Sequence, residues 1–491
     1  LRGDNTDGGR VLVSGSDFVS SPALSADGTT MAWVTWEHPS MPWDATALWS
    51  SPLDAAGLPY APGRVAGGPA ESAVRPQFRG DELHLITDRT GWWNLARVAP
   101  DGALHALAPS AHDFADPQWV FGLSDYAFVG ADRILVRWYD GGIAELGLID
   151  AAGTLTPIDI GAVAIDHLQT AVSGSSAVVV AGFADRATAV LRINVDNGDV
   201  ETLRSSTDMR FPAEGVSLAE SVEWTSTDGT TSYGFFYGPR NARFAGPADE
   251  LPPLMVMSHG GPTSATSSSL SPRLQYWTSR GFAVLDVNYG GSTGYGRAYR
   301  DRLQGRWGIV DVDDCTTGAQ FLAARGSVDP ARLAIRGGSA GGYTTLAALA
   351  FRDVFAAGAS HYGIGDLGAL ARDTHKFESR YLDGLVGPYP RDEAVYIERS
   401  PLFHADQIDS ALILLQGRDD LVVPPDQAQS MADAVRANGQ PVALLMFDGE
   451  GHGFRQAPNI IRAIEAELWF YGRVFGFTPA GDIEPVEIDN L

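Results

Sequence analysis

The chain has 491 residues, 44% of them hydrophobic, which is enough for two domains with separate cores. Its 60 acidic and 35 basic residues give a formal net charge of −25, which argues against nucleic acid as a partner and favours cationic peptides or free amines. No stretch approaches the ~20 uninterrupted apolar residues of a membrane span, and the single cysteine, Cys315, excludes a disulfide within the chain and suits a reducing compartment.

Residues 1 to about 210 read as short alternating strands broken by Asp-Gly and Asn-Gly turns, with no long helical pattern. The unit Ser21-Pro22-Ala23-Leu24-Ser25-Ala26-Asp27-Gly28, then Met31-Ala32-Trp33-Val34, is echoed by Arg75-Pro76-Gln77-Phe78-Arg79-Gly80-Asp81, then Leu83-His84-Leu85-Ile86. Weaker echoes stand at Ile134 to Trp138 and Ala177 to Ala181. Recurrence at about 40 to 50 residues predicts about four β-propeller blades, with a sandwich as the alternative. Arg2-Gly3-Asp4 has the form of an adhesion tripeptide, but in so glycine-rich a start it is read as fortuitous.

Near residues 205 to 222 the chain becomes rich in Ser, Thr and Glu, so the boundary is placed to give a propeller part, 1–212, and an α/β domain, 213–491. Val222 to Tyr237 reads as a hairpin entering the second domain's sheet, and the strand Leu254 to Ser258 leads into His259-Gly260-Gly261-Pro262. The run Gly290-Gly291-Ser292-Thr293-Gly294-Tyr295-Gly296 lacks the Gly-Lys-Ser/Thr ending of a phosphate loop and reads as a substrate-side turn.

Gly337-Gly338-Ser339-Ala340-Gly341 follows the β-compatible segment Arg332 to Arg336 and precedes a helical run from Tyr343 to Phe351. A G-x-S-x-G turn between strand and helix presents its serine as a nucleophile, which then requires a base and an acid. The apolar strand Leu412 to Leu415 runs into a loop carrying Asp419 and Asp420, with Asp426 beyond it. A second strand, Val442 to Phe447, runs into Asp448-Gly449-Glu450-Gly451-His452-Gly453-Phe454, where glycines flank the histidine. Serine, then aspartate, then histidine is the order of an α/β-hydrolase sheet. His361, His375 and His404 lack that glycine-flanked setting and read as structural or substrate-facing. No His-x-x-x-His or Cys-x-x-Cys spacing marks a metal site, and no cofactor is expected.

With Asn288-Tyr289-Gly290-Gly291, Trp307-Gly308 and the acidic run Asp311-Val312-Asp313-Asp314 added, residues 220 to 477 resemble the prolyl oligopeptidase family of serine peptidases. The resemblance is nearest to the acylaminoacyl-peptidase and dipeptidyl-aminopeptidase-like branch. It implies an α/β-hydrolase domain preceded by a propeller that is incomplete here, because relatives carry more blades and the chain starts at Leu1. A propeller over the site would admit short peptides and exclude folded proteins.

The family's G-x-x-D-x-x-V-P pattern, with its register fixed by Gly417 and Pro424, assigns the acid to Asp420, beside Ser339 and His452. The oxyanion donors are expected to be the N–H of Ala340 and, from the His259–Pro262 turn, the N–H of Gly261. Prolyl oligopeptidases proper place a tyrosine where His259 stands, which favours the acylaminoacyl branch. Phe377 and Tyr381 stand at i and i+4, one face of a helix. The resemblance implies that they line an apolar pocket for a bulky residue before the scissile bond, closed by Val423. Arg380 is expected to grip a substrate carbonyl and Glu378 to meet an α-ammonium, with a surface ion pair as the alternative for both.

The resulting expectation is a cytoplasmic serine exopeptidase or oligopeptidase that hydrolyses short peptides or aminoacyl amides through an acyl-enzyme. It is aminopeptidase-like or acylaminoacyl-peptidase-like, and a homo-oligomer is allowed for. A carboxylesterase or amidase on the same triad is the alternative, and a non-catalytic propeller interaction protein the next.

Overall fold

The computed structural model describes residues 9–171 and 174–491, so Arg2-Gly3-Asp4 lies outside the described residues. The chain divides into two compact units. The first comprises Leu1–Ala181, Ala189–Ser206 and Gly294–Arg297, and the second Gly182–Thr188, Thr207–Thr293 and Ala298–Leu491. The passage at 206/207 precedes the 212/213 boundary read from composition, because the last strand of the first unit already ends at Ser205.

Among the described residues the first unit holds four separate four-stranded sheets whose strands follow one another in chain order. They begin at Phe18, Ala73, Tyr126 and Ala164 and close with Gly63–Gly67, Leu104–Ala106, Leu155–Pro157 and Val200–Ser205. Tight turns at Gly28, Gly80 and Gly198, all with positive φ, make the strand order consecutive. Burial falls from the second strand of each sheet to its last: in the first sheet Thr30–Trp36 is almost wholly buried, and in the fourth Val200–Ser205 is almost wholly exposed. Four small sheets of this kind are blades, and the sandwich alternative is set aside. Arg137, fully buried, pairs with Asp125 and Asp116, while Arg75 Nε donates to Asp125 Oδ2 at 2.6 Å, so the buried charges are matched.

The second unit is built on one eight-stranded sheet. Its strands in chain order are β1 (Glu220–Thr225), β2 (Thr231–Tyr237), β3 (Leu254–Ser258), β4 (Ala283–Asn288), β5 (Leu333–Gly338), β6 (Ala357–His361), β7 (Ala411–Gly417) and β8 (Val442–Phe447). The order across the sheet is β1-β2-β4-β3-β5-β6-β7-β8, antiparallel through β1, β2 and β4 and parallel from β4 onward. Strands buried on both faces read as continuous apolar runs, hence Leu412-Ile413-Leu414-Leu415 in β7. The crossovers between parallel strands include the helices Val310–Ala324, Ala340–Phe351 and Pro425–Ala437. A final helix, Ala457–Phe475, stops at Gly476 in the left-handed conformation that a side chain would strain (φ 75°). Ligand sites in such sheets lie beyond the carboxyl ends of the parallel strands, where β3, β5, β7 and β8 run into the four motif loops. Among the described residues no helix is long and apolar enough to cross a membrane.

Candidate active site

Ser339 joins β5 to the helix Ala340–Phe351 with φ 57° and ψ −119°, a conformation that costs a non-glycine residue ~1–3 kcal/mol. Hydrogen bonds hold it there: Ser339 N–H donates to the His361 carbonyl at 3.0 Å, and its own carbonyl accepts from Tyr343 N–H at 3.0 Å. The flanking glycines answer to packing. A Cβ on Gly337 would lie 2.3 Å from the Gly341 carbonyl oxygen, and one on Gly341 would lie 2.1 Å from that of Ser258. Only glycine lets β3 and β5 approach so closely around the turn.

His452 Nε2 lies 2.9 Å from Ser339 Oγ, and His452 Nδ1 lies 2.8 Å from Asp420 Oδ2. Asp420 is buried, and its Oδ1 accepts the N–H groups of Val422 and Val423, each at 2.9 Å. Burial alone would raise its pKa. The hydrogen bonds from His452, Val423 and Val422 outweigh that and hold the carboxyl below the usual range. The two loops also bind each other, with Asp419 N–H donating to the Glu450 carbonyl at 2.9 Å. Glu450, flanked by glycines, accepts from Arg455 N–H and Gln456 N–H at 2.9 Å and fixes the start of the last helix behind His452. Asp419 is exposed, and Asp426 stands in the first turn of the helix Pro425–Ala437.

Ala340 heads its helix, so its N–H has no acceptor inside that helix and carries the positive end of the helix dipole. The His259–Pro262 turn lies against the serine, since a Cβ on Gly260 would sit 3.5 Å from Ser339 Cβ. The His259 ring has partners of its own. It stacks on Tyr289 at 4.3 Å and its Nε2 lies 2.8 Å from Ser292 Oγ. Burial lowers its pKa to about 4, so it is neutral near pH 7.

An unfolded chain takes up that proton near pH 6.5, whereas the folded chain refuses it until about pH 4, so His259 makes stability fall as pH falls through this window. The slope it adds is at most ~1.4 kcal/mol per pH unit. Denaturant unfolding between pH 7 and pH 4 is expected to show a correspondingly shallower slope for His259→Gln. Equal slopes would assign the effect to other groups.

Ser339, Ala340, Gly261, Tyr381, Val423 and Glu378 line one cavity of about 40 Å³, completed by apolar side chains such as Trp307, Leu370 and Leu385. Tyr381 is buried, with its hydroxyl 2.7 Å from Thr263 Oγ1. Glu378 is the cavity's carboxylate. Burial raises its pKa, against the pull of His375 and His452, and His375 Nε2 lies 3.8 Å away.

One expectation about local structure is corrected. Phe377 and Tyr381 do not share a helical face, because residues 376–380 form turns with i→i−3 bonds and the helix starts only at Tyr381. Arg380, half-exposed, pairs with Asp383 one turn along.

Three residues escaped the sequence reading. Tyr362, at φ 39°, sets its ring edge against His452 at 4.9 Å, and Arg336 and Glu467 form a buried ion pair joined by His361. None belongs to a local motif. Of the remaining histidines, His404 packs against Phe351.

Residues 268–478 match the model of the prolyl oligopeptidase family. A puromycin-hydrolyzing peptidase from Mycobacterium tuberculosis superposes with a TM-score of 0.93 at 43% identity, covering 98% of this chain and 73% of that one. A second solved structure, of a puromycin hydrolase, gives 0.91 at 41%, covering 96% and 71%. Dipeptidyl aminopeptidase BIII from Pseudoxanthomonas mexicana is 35% identical over 268 residues, 52% of this chain and 39% of that protein. The chain thus spans well under half the length of this curated relative. The elbow, the two loops behind it and these likenesses agree: the chain belongs to the prolyl oligopeptidase family.

Proposed function

We propose that the chain is a serine peptidase that removes residues from the free N-termini of short peptides and aminoacyl amides. The observation that carries this reading is the line Asp420, His452, Ser339, with contacts of 2.8 and 2.9 Å, opening on a cavity that also holds a carboxylate. His452 Nε2 takes the Ser339 proton as Oγ attacks the carbonyl carbon, and the N–H groups of Ala340 and Gly261 stabilise the oxyanion, each by ~3 kcal/mol. The C–N bond breaks as His452 returns the proton to the leaving amine. Water then attacks the acyl ester with His452 again as base, freeing Ser339.

Glu378 supplies the preference for a free N-terminus in this reading. A half-buried carboxylate beside the nucleophile matches an α-ammonium better than an N-acetyl group. The relatives' names support the same class: puromycin is an aminoacyl amide, and another relative is called a dipeptidyl aminopeptidase. The test is the release of a chromophoric amine from free, N-acetylated and dipeptidyl substrates by wild type and Ser339→Ala. Turnover of free aminoacyl or dipeptidyl amides that Ser339→Ala abolishes supports the reading. A preference for acetylated substrates, or turnover of esters alone, overturns it.

Glu378→Gln is expected to raise KM for free-amine substrates about 10- to 100-fold, the worth of a hydrogen bond to a charged group. KM for acetylated substrates is expected to stay within about 2-fold, since only the charged pair is lost. An equal rise for both would remove Glu378 from amine recognition.

A further inference from the structure

The strained backbone of Ser339 has to be imposed from outside, and a buried ionic cluster reaches the elements that impose it. Glu467, on the helix Ala457–Phe475, has a fully buried side chain. Its Oε1 lies 2.6 Å from His361 Nε2 and accepts from Arg336 Nη2 at 2.9 Å, while its Oε2 accepts from Arg336 Nε at 3.0 Å. Arg336 lies on β5, the strand that ends at the nucleophile turn. His361 ends β6 in register with Gly338, and its carbonyl is the acceptor that holds Ser339 N–H. The helix carrying Glu467 follows the His452 loop directly, and Glu450 fixes its start. Tyr362, next to His361, carries the arrangement to the base through its edge contact with the His452 ring.

One carboxylate therefore ties together the strand of the nucleophile, the carbonyl that fixes its backbone and the helix behind the base. Its protonation state is settled by its partners: the Arg336 and His361 contacts overcome the effect of burial and lower its pKa to about 2. A buried ion pair is often no more stabilising than apolar residues of the same volume. Stability alone is therefore a weak reason for a charge at this place.

We propose that Glu467 is a positioning residue for the hydrolysis: acting through Arg336 and His361, it sets Ser339 and His452 in reactive register without touching substrate. This rests on the reading of Ser339 as the nucleophile. Glu467→Gln is expected to lower kcat at least about 10-fold, since a displacement near 1 Å at a reacting centre can cost ~100-fold, while KM stays within about 2-fold. The rate of covalent labelling of Ser339 by a fluorophosphonate is expected to fall in parallel.

Removing one partner of a buried pair also destabilises, so a second comparison separates the two effects. In the double variant Arg336→Met with Glu467→Met the unpaired charge is gone, and the melting temperature is expected to recover while kcat and labelling stay low. Recovery of kcat together with melting temperature would make the cluster merely structural and overturn the proposal. A full kcat in Glu467→Gln, or a KM change as large as the kcat change, would do the same. Should Glu467→Gln fail to fold, His361→Gln leaves the Arg336–Glu467 pair and the backbone carbonyl in place, and its kcat is expected to drop similarly; unchanged kcat overturns the proposal. Activity persisting in Ser339→Ala would instead break the underlying nucleophile reading, independently of every Glu467 result.

Discussion

Ser339→Ala is expected to lower kcat for every amide substrate by about 10⁶-fold, the scale seen when a serine hydrolase loses its nucleophile. The residue's environment makes this a clean experiment. Alanine keeps the Cβ, and the backbone bonds to His361 and Tyr343 do not involve the hydroxyl. The melting temperature should therefore hardly move, with a stability change within about 0.5 kcal/mol. His452→Ala is expected to cost nearly as much, and the double variant no more than either alone, because the two side chains act on one proton. Additive losses, with the double variant slower by the product of the two, would mean that His452 Nε2 does not serve Ser339 despite its 2.9 Å separation. Titration with a fluorophosphonate gives the companion measurement, with labelling expected in wild type and absent in Ser339→Ala.

Much of this site was legible because its residues sit in loops with a local signature. Ser339, Asp420 and His452 each follow an apolar parallel strand, and the glycines around them mark close backbone approach: a Cβ on Gly417 would lie 2.4 Å from the Glu450 carbonyl oxygen. The blades were legible for a similar reason, since turns with positive φ recur between short strands. What failed was a rule applied without its condition. The i, i+4 relation places Phe377 with Tyr381 only if a helix is continuous, and the chain is not helical from Thr374 to Arg380. Glu467 was illegible in another way, because it meets His361 across 106 residues of sequence and neither residue stands in a pattern that predicts the other. The tetrapeptide Gly294–Arg297 shows the same limit: its sequence reads as part of a glycine-rich turn, yet it groups with the first unit, where Gly296 N–H donates to Asp113 Oδ2 at 2.9 Å.

The second large effect is expected at Asp420, where asparagine keeps the shape and changes the proton. In the native loop Oδ1 accepts two N–H groups, from Val422 and Val423, while Oδ2 faces His452 Nδ1 at 2.8 Å. An asparagine that preserves the bonds to Val422 and Val423 must put its oxygen there, which turns its NH₂ toward His452. Nδ1 then has to accept, so the ring proton sits on Nε2 and faces Ser339, where a base is required. The expected result is a fall in kcat of about 10⁴-fold with KM nearly unchanged, as for a triad held in the wrong tautomer. Asp419→Asn provides the internal control: its exposed side chain is one residue away, and its contribution to the site is the backbone N–H bonded to Glu450. Activity near that of wild type is expected there. A loss at Asp419 matching that at Asp420 would mean that the loop's charge, rather than the orientation of His452, sustains the reaction.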